Sequence, residues 1–457
     1  MRALLISTYD LGRQPFGLAS PAAWLRRAGV DVDCADTSRE ALDDPRIAAA
    51  SLVAFYLPMH TATRLAAPLI ERVRGVNPSA RLCAYGLYAP LNANWLRERG
   101  VGDVLGPEAE QDLVDLAIAS HEHIASQKSP IASPDRVPRL AFIQPDRAGL
   151  VPLERYASLR MPDGSRRTIG STDATRGCKH LCRHCPIVPV YRGQFRAVPL
   201  DVVLADVRAQ VGAGAQHISF GDPDFFNGPT HARRVVEGVS SEFPGVSYDV
   251  TIKIEHLLKH ADLIPLLRNT GCLFVTSAVE SIDDAVLEKL EKRHTRNDFI
   301  RAVELCREAR LTLSPTFIPF TPWTTLEGYI ELLDLIRDLD IAEQVAPIQL
   351  GIRLLVTADS LLLDVPYVRE TVAPFDPASL TFPWRHRDAR VDSLQSSVMH
   401  IIKTMSGCPR AETFSAISRF AREHAGFPAR EVHATARPPV PYVSEPWYCC
   451  AEPMESV

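Results

Sequence analysis

Short apolar runs that alternate with helical stretches constrain this chain more than any other feature. Residues 2–7 (Arg-Ala-Leu-Leu-Ile-Ser) form such a run. A loop with Gly12, Pro15 and Gly17 follows, then a helix-like stretch through Leu25. The alternation recurs at Val30–Cys34, Leu52–Leu57, Arg81–Tyr85 and Val104–Leu105. Strand and helix in strict turn imply parallel strands joined by helical crossovers. Residues 1–120 are therefore expected to be a doubly wound, Rossmann-like α/β domain with ligands at the carboxyl ends of its strands.

Five prolines between Pro130 and Pro152 and no sustained periodicity suit an extended linker, assigned to residues 121–165. From Thr168 the strand–helix alternation resumes, with strands expected at His217–Phe220, Ser247–Ile254, Cys272–Val279, Leu311–Ile318 and Ile348–Val356. With the segment ahead of Cys178 that makes six, and Leu200, Val203, Leu204, Val207 and Val211 fall on one helical face. Residues 166–370 are expected to form a partial (β/α)6 barrel of the TIM type, with its chemistry on the loops after the strands. Residues 371–457 read as two helices (Asp388–Thr404 and Ala411–His424) and a proline-rich extended tail.

A net charge of −5 and a pI near 6.3 show no basic excess. This argues against a dedicated nucleic-acid or anionic-membrane binder and favours small molecules or proteins as partners. No apolar run is long enough to span a bilayer, and Met1–Thr8 reads as a strand, so a cytoplasmic location is expected. Ten cysteines without an export signal suit buried thiols and metal ligands better than disulfides. Cys34, Cys83, Cys272, Cys306 and Cys408, each alone in apolar surroundings, are expected to fill core space.

The segment Arg176-Gly177-Cys178-Lys179-His180-Leu181-Cys182-Arg183-His184-Cys185-Pro186 places three thiols within eight residues. An iron–sulfur cubane has four ligand positions, so three local cysteines leave one iron open. A zinc knuckle completed by His180 or His184 is the alternative. The Cys-x3-Cys-x2-Cys spacing, after a strand and before a βα series, resembles the radical S-adenosylmethionine superfamily. That resemblance implies a [4Fe–4S] cluster on Cys178, Cys182 and Cys185, whose open iron chelates S-adenosylmethionine. It also implies an electron donor such as flavodoxin or ferredoxin.

Further positions match the same family. Phe220-Gly221-Asp222-Pro223 stands where the family has a glycine-rich turn that accepts the S-adenosylmethionine amino group, with Asp222 as the acid and Pro223 replacing a glycine. Lys253 and Glu255 after the third strand, and Ser277, Glu280 and Ser281 after the fourth, stand where the family contacts the ribose and carboxylate. Arg353 on the sixth strand is another candidate. His294, just past a helix, reads as a surface or capping residue.

No Gly-x-Gly-x-x-Gly follows the first strand, which argues against a dinucleotide in residues 1–120. This layout ahead of a cluster barrel resembles the cobalamin-binding domain of cobalamin-dependent radical S-adenosylmethionine enzymes. The resemblance implies contacts from Leu11–Gly17 (with Gly12, Pro15 and Gly17), from Leu57–His60 and from Gly86–Tyr88. The Asp-x-His-x-x-Gly loop that donates an axial histidine is missing, and Asp10-Leu11-Gly12 stands near its place. Cobalamin would then be base-off; His60 could approach the cobalt or be a packed side chain. A degenerate domain without cofactor is the other reading.

The ending Cys449-Cys450-Ala451-Glu452-Pro453 resembles the tail that names the CUAEP/CCAEP radical S-adenosylmethionine proteins, in its all-cysteine version. Accessible thiolates reduce, form mixed disulfides or bind soft centres such as trivalent arsenic, so Cys449 and Cys450 are candidate catalytic residues, unless the tail is inert. Methyl transfer to an unactivated centre of a small molecule, with cobalamin carrying the methyl, is the leading expectation. Transfer of a 3-amino-3-carboxypropyl or adenosyl group, or a rearrangement, is the second. A non-enzymatic metal or thiol sensor is the third.

Overall fold

In a computed structural model, the structure describes residues 1–119, 137–430 and 439–445. Cys449 and Cys450 lie outside these residues. The first sheet is all parallel, in the order β2-β1-β3-β4-β5, from β1 (Arg2–Ser7), β2 (Asp31–Asp36), β3 (Leu52–Tyr56), β4 (Arg81–Tyr85) and β5 (Asp103–Val104). Helices cover both faces, so Ala3, Leu4, Leu5 and Ile6 are all fully buried and β1 is a continuous apolar run.

The helix Phe16–Arg27 carries Pro21 in its interior. Proline has no N–H, so the carbonyl of Gly17 loses its helical donor. The Tyr85 hydroxyl donates to it instead at 2.7 Å. Sequence and tertiary contact thus close one another's gap at the carboxyl end of this sheet.

The second sheet has the order β13-β12-β11-β10-β7-β6-β14. Its parallel strands are β7 (Arg166–Thr172), β10 (His217–Phe220), β11 (Ser247–Thr251), β12 (Cys272–Glu280) and β13 (Thr312–Phe317). On the β7 edge, β6 (Ser158–Arg160) and then β14 (Tyr442–Val443) add antiparallel. A separate ribbon pairs β8 (Thr175–Gly177) with β9 (Phe195–Ala197). The main apolar core lies between this curled half-barrel and its outer helices, and Val391, Leu394, Val398, Phe414, Ile417 and Ala421 of the two C-terminal helices join it.

Two expectations are corrected here. The sixth strand at Ile348–Val356 does not form: a 3-10 turn spans Pro347–Leu350 and a lone bridge pairs Phe320 with Arg353. Pro347 cannot donate to a ladder, and Gly351 is packed against Met399 and Ile402 of a C-terminal helix. Cys408 is exposed rather than core, whereas Cys34, Cys83, Cys272 and Cys306 are buried. The C-terminal region also reaches the first sheet. Leu380 enters its core, and the Trp95 indole donates to the Pro377 carbonyl at 3.0 Å. Among the described residues no helix is long and apolar enough to cross a membrane.

Candidate active site at the facing ends of two sheets

The three-cysteine loop leaves β8 through Gly177, whose φ of +77° and contacts with Tyr191 and the Gln194 carbonyl leave no room for a Cβ. Cys178 and Cys182 are buried and Cys185 is partly exposed. The loop is anchored at one end by Asn227, which accepts from the Lys179 N–H at 3.2 Å and donates to the Gly177 carbonyl at 3.4 Å. Burial pushes the Cys178 thiol up to about 11, so thiolate here needs a neighbouring positive charge or a metal. Lys253 supplies one such charge, with its ammonium 3.7 Å from the Cys182 sulfur.

The imidazoles flanking the thiols are tied to carboxylates from strand ends. His180 lies 3.1 Å from Asp224 and 3.5 Å from Glu255, and His256 lies 2.6 Å from the same Asp224 oxygen. Burial would raise the Asp224 carboxyl, but hydrogen bonds from His180 and His256 outweigh it and hold the group well below the ordinary range. On the other side Glu280, buried, meets His184 and Lys292 at 3.2 Å each. Burial again opposes ionisation; Lys292 and His184 overcome it and bring the Glu280 carboxyl to about 2. His180 and His184 are thus each held by a carboxylate. One atom each of Cys178, His180 and Asp224 still lies within 4.8 Å of the others.

Several expected site residues have partners within the chain. The Asp222 carboxylate accepts from the Ala174 N–H at 2.9 Å and the Thr175 hydroxyl at 2.5 Å, and burial raises it to about 7. It therefore positions the strand that leads into the cysteine loop. Arg353 is a correction: it stacks on Trp384 and pairs with Asp392 at 2.7 Å, so it belongs to the C-terminal packing. Ser277 is fully buried. Gly221 lies where a Cβ would strike the Asp173 carboxylate. His294 is also a correction, being buried, with burial lowering its imidazole to about 3.

Across from the loop stands the carboxyl end of the first sheet, and between them lies a cleft with about 230 Å³ of free space. Phe16, Tyr56, Tyr85, Pro107, Ile187 and Tyr191 give it apolar walls. Arg176, buried, crosses from β8 to Glu110 at 2.6 Å and to the Ser20 hydroxyl at 3.1 Å. Gly17 abuts the Tyr56 ring, and Gly86, at φ +109°, has the Leu57 carbonyl where a Cβ would go. Pro15 caps the helix that begins at Phe16. Gly12 lies under Glu445 and Ala157. His60 is directed elsewhere, 2.7 Å from the Ser379 carbonyl, and is the packed side chain of the two alternatives.

Asp224, His256, Lys292 and Arg176 were not singled out from the sequence. The signal was thin: polar residues at strand ends are ordinary, and their partners lie 32 to 66 positions away or, for Lys292, on the far side of a short helix.

Residues 173–336 match the model of the Radical SAM superfamily, so the half-barrel with its cysteine loop is a radical SAM domain. Among particular proteins, a tRNA-2-methylthio-N(6)-dimethylallyladenosine synthase of Chlorobium luteolum is 26% identical over 226 residues, 45% of this chain and 50% of that one. The ribosomal protein uS12 methylthiotransferase RimO of Geobacter sulfurreducens is 26% identical over 176 residues, 35% of this chain and 38% of that one. The chain spans about half the length, or less, of these curated relatives. Of solved structures, the cobalamin-dependent S-adenosylmethionine radical enzyme OxsB superposes with a TM-score of 0.67 at 13% identity, over 89% of this chain and 67% of that one. The radical S-adenosylmethionine methyltransferase TsrM of Kitasatospora setae gives 0.55 at 17%, over 74% and 70%. The similarity to both is one of fold.

Proposed function

We propose that this chain is a radical S-adenosylmethionine enzyme that uses cobalamin to transfer a methyl group to an unactivated centre of a small molecule. The observation that carries this reading is the three-cysteine loop, presented at the strand ends of a half-barrel and facing the carboxyl end of a second parallel sheet. The residues suit each cofactor. Three thiols with Lys253 beside them suit an anionic cluster with one open iron. The aromatic and prolyl walls of the cleft suit a flat macrocycle, and one oxygen each of Glu108 and Glu110, beside Arg176, has no hydrogen-bond donor.

When bound, the cluster supplies the electron that cleaves a carbon–sulfur bond of S-adenosylmethionine, and cobalamin carries the methyl group. The chain's own residues bind and exclude water. Cys178, Cys182 and Cys185 hold the cluster, Lys253 offsets its charge, and the Asp224 and Glu280 carboxylates fix the loop. His60 is engaged by Ser379, and the first sheet's unit has no second histidine among its described residues, which supports a base-off cobalamin.

The substrate reading rests on the interior of the half-barrel. Asp249, Thr251, Thr276, Ser314 and Thr316 line a hollow with about 60 Å³ of free space, narrowed by Tyr442 and Glu445. It suits a small polar molecule better than the macromolecules named for the curated relatives. Cys449 and Cys450 follow Glu445 by four and five residues in the sequence. We assign them a role in holding or reducing the substrate. A flavodoxin or ferredoxin would deliver the electron.

Anaerobic reconstitution followed by iron, sulfide and cobalamin analysis and mass spectrometry of products tests this reading. About four irons per chain, lost when the three cysteines become alanine, are expected. S-adenosylhomocysteine together with 5′-deoxyadenosine indicates methylation. Methylthioadenosine would instead show carboxypropyl transfer, and no consumption of S-adenosylmethionine would show a sensor. Cys449→Ser and Cys450→Ser should keep the iron and lose turnover.

A further inference from the structure

Glu280 ends β12 in a left-handed conformation, φ +69°, which residues with a Cβ rarely adopt. The ladder between β12 and β13 shifts register there, between Ala278 and Glu280, and such irregularities re-aim a side chain. The side chain so aimed places one carboxylate oxygen 3.2 Å from the His184 ring and 3.2 Å from the Lys292 ammonium. His184 sits between Arg183 and Cys185 on the cysteine loop.

The backbone leading to Lys292 is docked on the same loop. The Arg183 N–H donates to the Leu290 carbonyl at 3.1 Å, its guanidinium to the Lys289 carbonyl at 3.2 Å, and it pairs with Glu291 at 2.6 Å. Lys292 itself is 2% exposed, and Glu280 is its one carboxylate partner among the described residues. A buried ammonium held by a single carboxylate keeps part of its field for its other neighbours. Glu280 ties the ammonium to His184, next to Cys185 in the chain, so the Cys182 and Cys185 sulfurs fall within its electrostatic reach.

We propose that Lys292, oriented by Glu280, is a positioning residue for the cluster, placing a fixed positive charge beside Cys182 and Cys185 that makes the cluster easier to reduce. The proposal rests on the reading that these cysteines hold a [4Fe–4S] cluster. Reduction adds one negative charge to the cluster, so a nearby cation stabilises the reduced form more than the oxidised one. Lys253 follows β11 and Lys292 follows the helix after β12, so two ammonium groups from different segments accompany the loop.

The test is a redox titration of the reconstituted full chain followed by electron paramagnetic resonance, without S-adenosylmethionine. Lys292→Gln should keep its iron and shift the midpoint potential to more negative values. Lys292→Arg should leave the midpoint near wild type, and Glu280→Gln should shift it to more positive values. A full-iron Lys292→Gln with an unchanged midpoint overturns the proposal, as does an equal negative shift in Lys292→Arg, which would make size rather than charge responsible. If Lys292→Gln does not fold, Glu280→Gln decides: an unchanged midpoint overturns the proposal. Failure of the underlying reading looks different, because wild-type chain would then hold no cluster to titrate.

Discussion

The carboxyl edges of the two sheets face one another across a cleft, and they are built differently. The first sheet's edge gives the cleft aromatic and prolyl walls around the Glu108 and Glu110 acids, set by close approach: Gly17 against Tyr56, Gly86 against Leu57, and His60 drawn off by Ser379. The edge of the half-barrel is charged, with three thiols set among Lys253, Lys292, Asp224 and Glu280. The contrast teaches what each edge can hold. A small, highly charged group requires matched buried charges, whereas a large flat group requires walls and room.

The strongest way to break this comparison is at Arg176, which bridges the two edges. Arg176→Met leaves Glu110 and Glu108 buried without their cation and should lower unfolding stability by about 3–5 kcal/mol in chemical denaturation. Adding Glu110→Gln should recover part of that loss. A change below ~1 kcal/mol would mean that the bridge is not what joins the edges.

Gly86→Ala comes next. At φ +109° with the Leu57 carbonyl 2.8 Å from the new Cβ, it should cost on the order of 1–3 kcal/mol. It should also reduce cobalamin retained per chain while leaving iron unchanged. Equal loss of both would show that the edges are not independent.

The smallest effect concerns His60. Burial lowers its imidazole from 6.5 to about 4, so the native chain keeps it neutral where the unfolded chain binds a proton. Its contribution is complete above pH 6.5 and is lost as pH falls from 6.5 towards 4. The slope is at most about 1.4 kcal/mol per pH unit. His60→Gln should flatten the difference in urea midpoint between pH 7 and pH 5, and should leave the spectrum of bound cobalamin unchanged. A spectral change would restore His60 to the cobalt.

Much of the architecture was legible along the chain. Arg81–Tyr85 and His217–Phe220 were expected with the bounds they have, and most of the other strands lie within a few residues of expectation. Apolar periodicity carries that information because burial on a sheet is a local pattern. Ile348–Val356 looked equally apolar and is not a strand, since its apolar residues feed a separate cluster with Leu362, Val368 and Trp384. The cysteines were legible because all three sit on one loop. Asp222 and Arg353 mark the limit of that reading, because an acid or an arginine at a strand end looks the same in sequence whether it meets a ligand or its own chain.

The sequence by itself determined the spacing of the three thiols and the order of strands and helices, because both depend on neighbours a few residues apart. Only the tertiary structure decided which carboxylate meets which cation. Asp224 pairs with two histidines and Glu280 with His184 and Lys292 through folding of segments up to 96 residues apart in the chain. Buried charge must be matched wherever packing removes water, and that matching is a property of the assembled interior rather than of any stretch of chain.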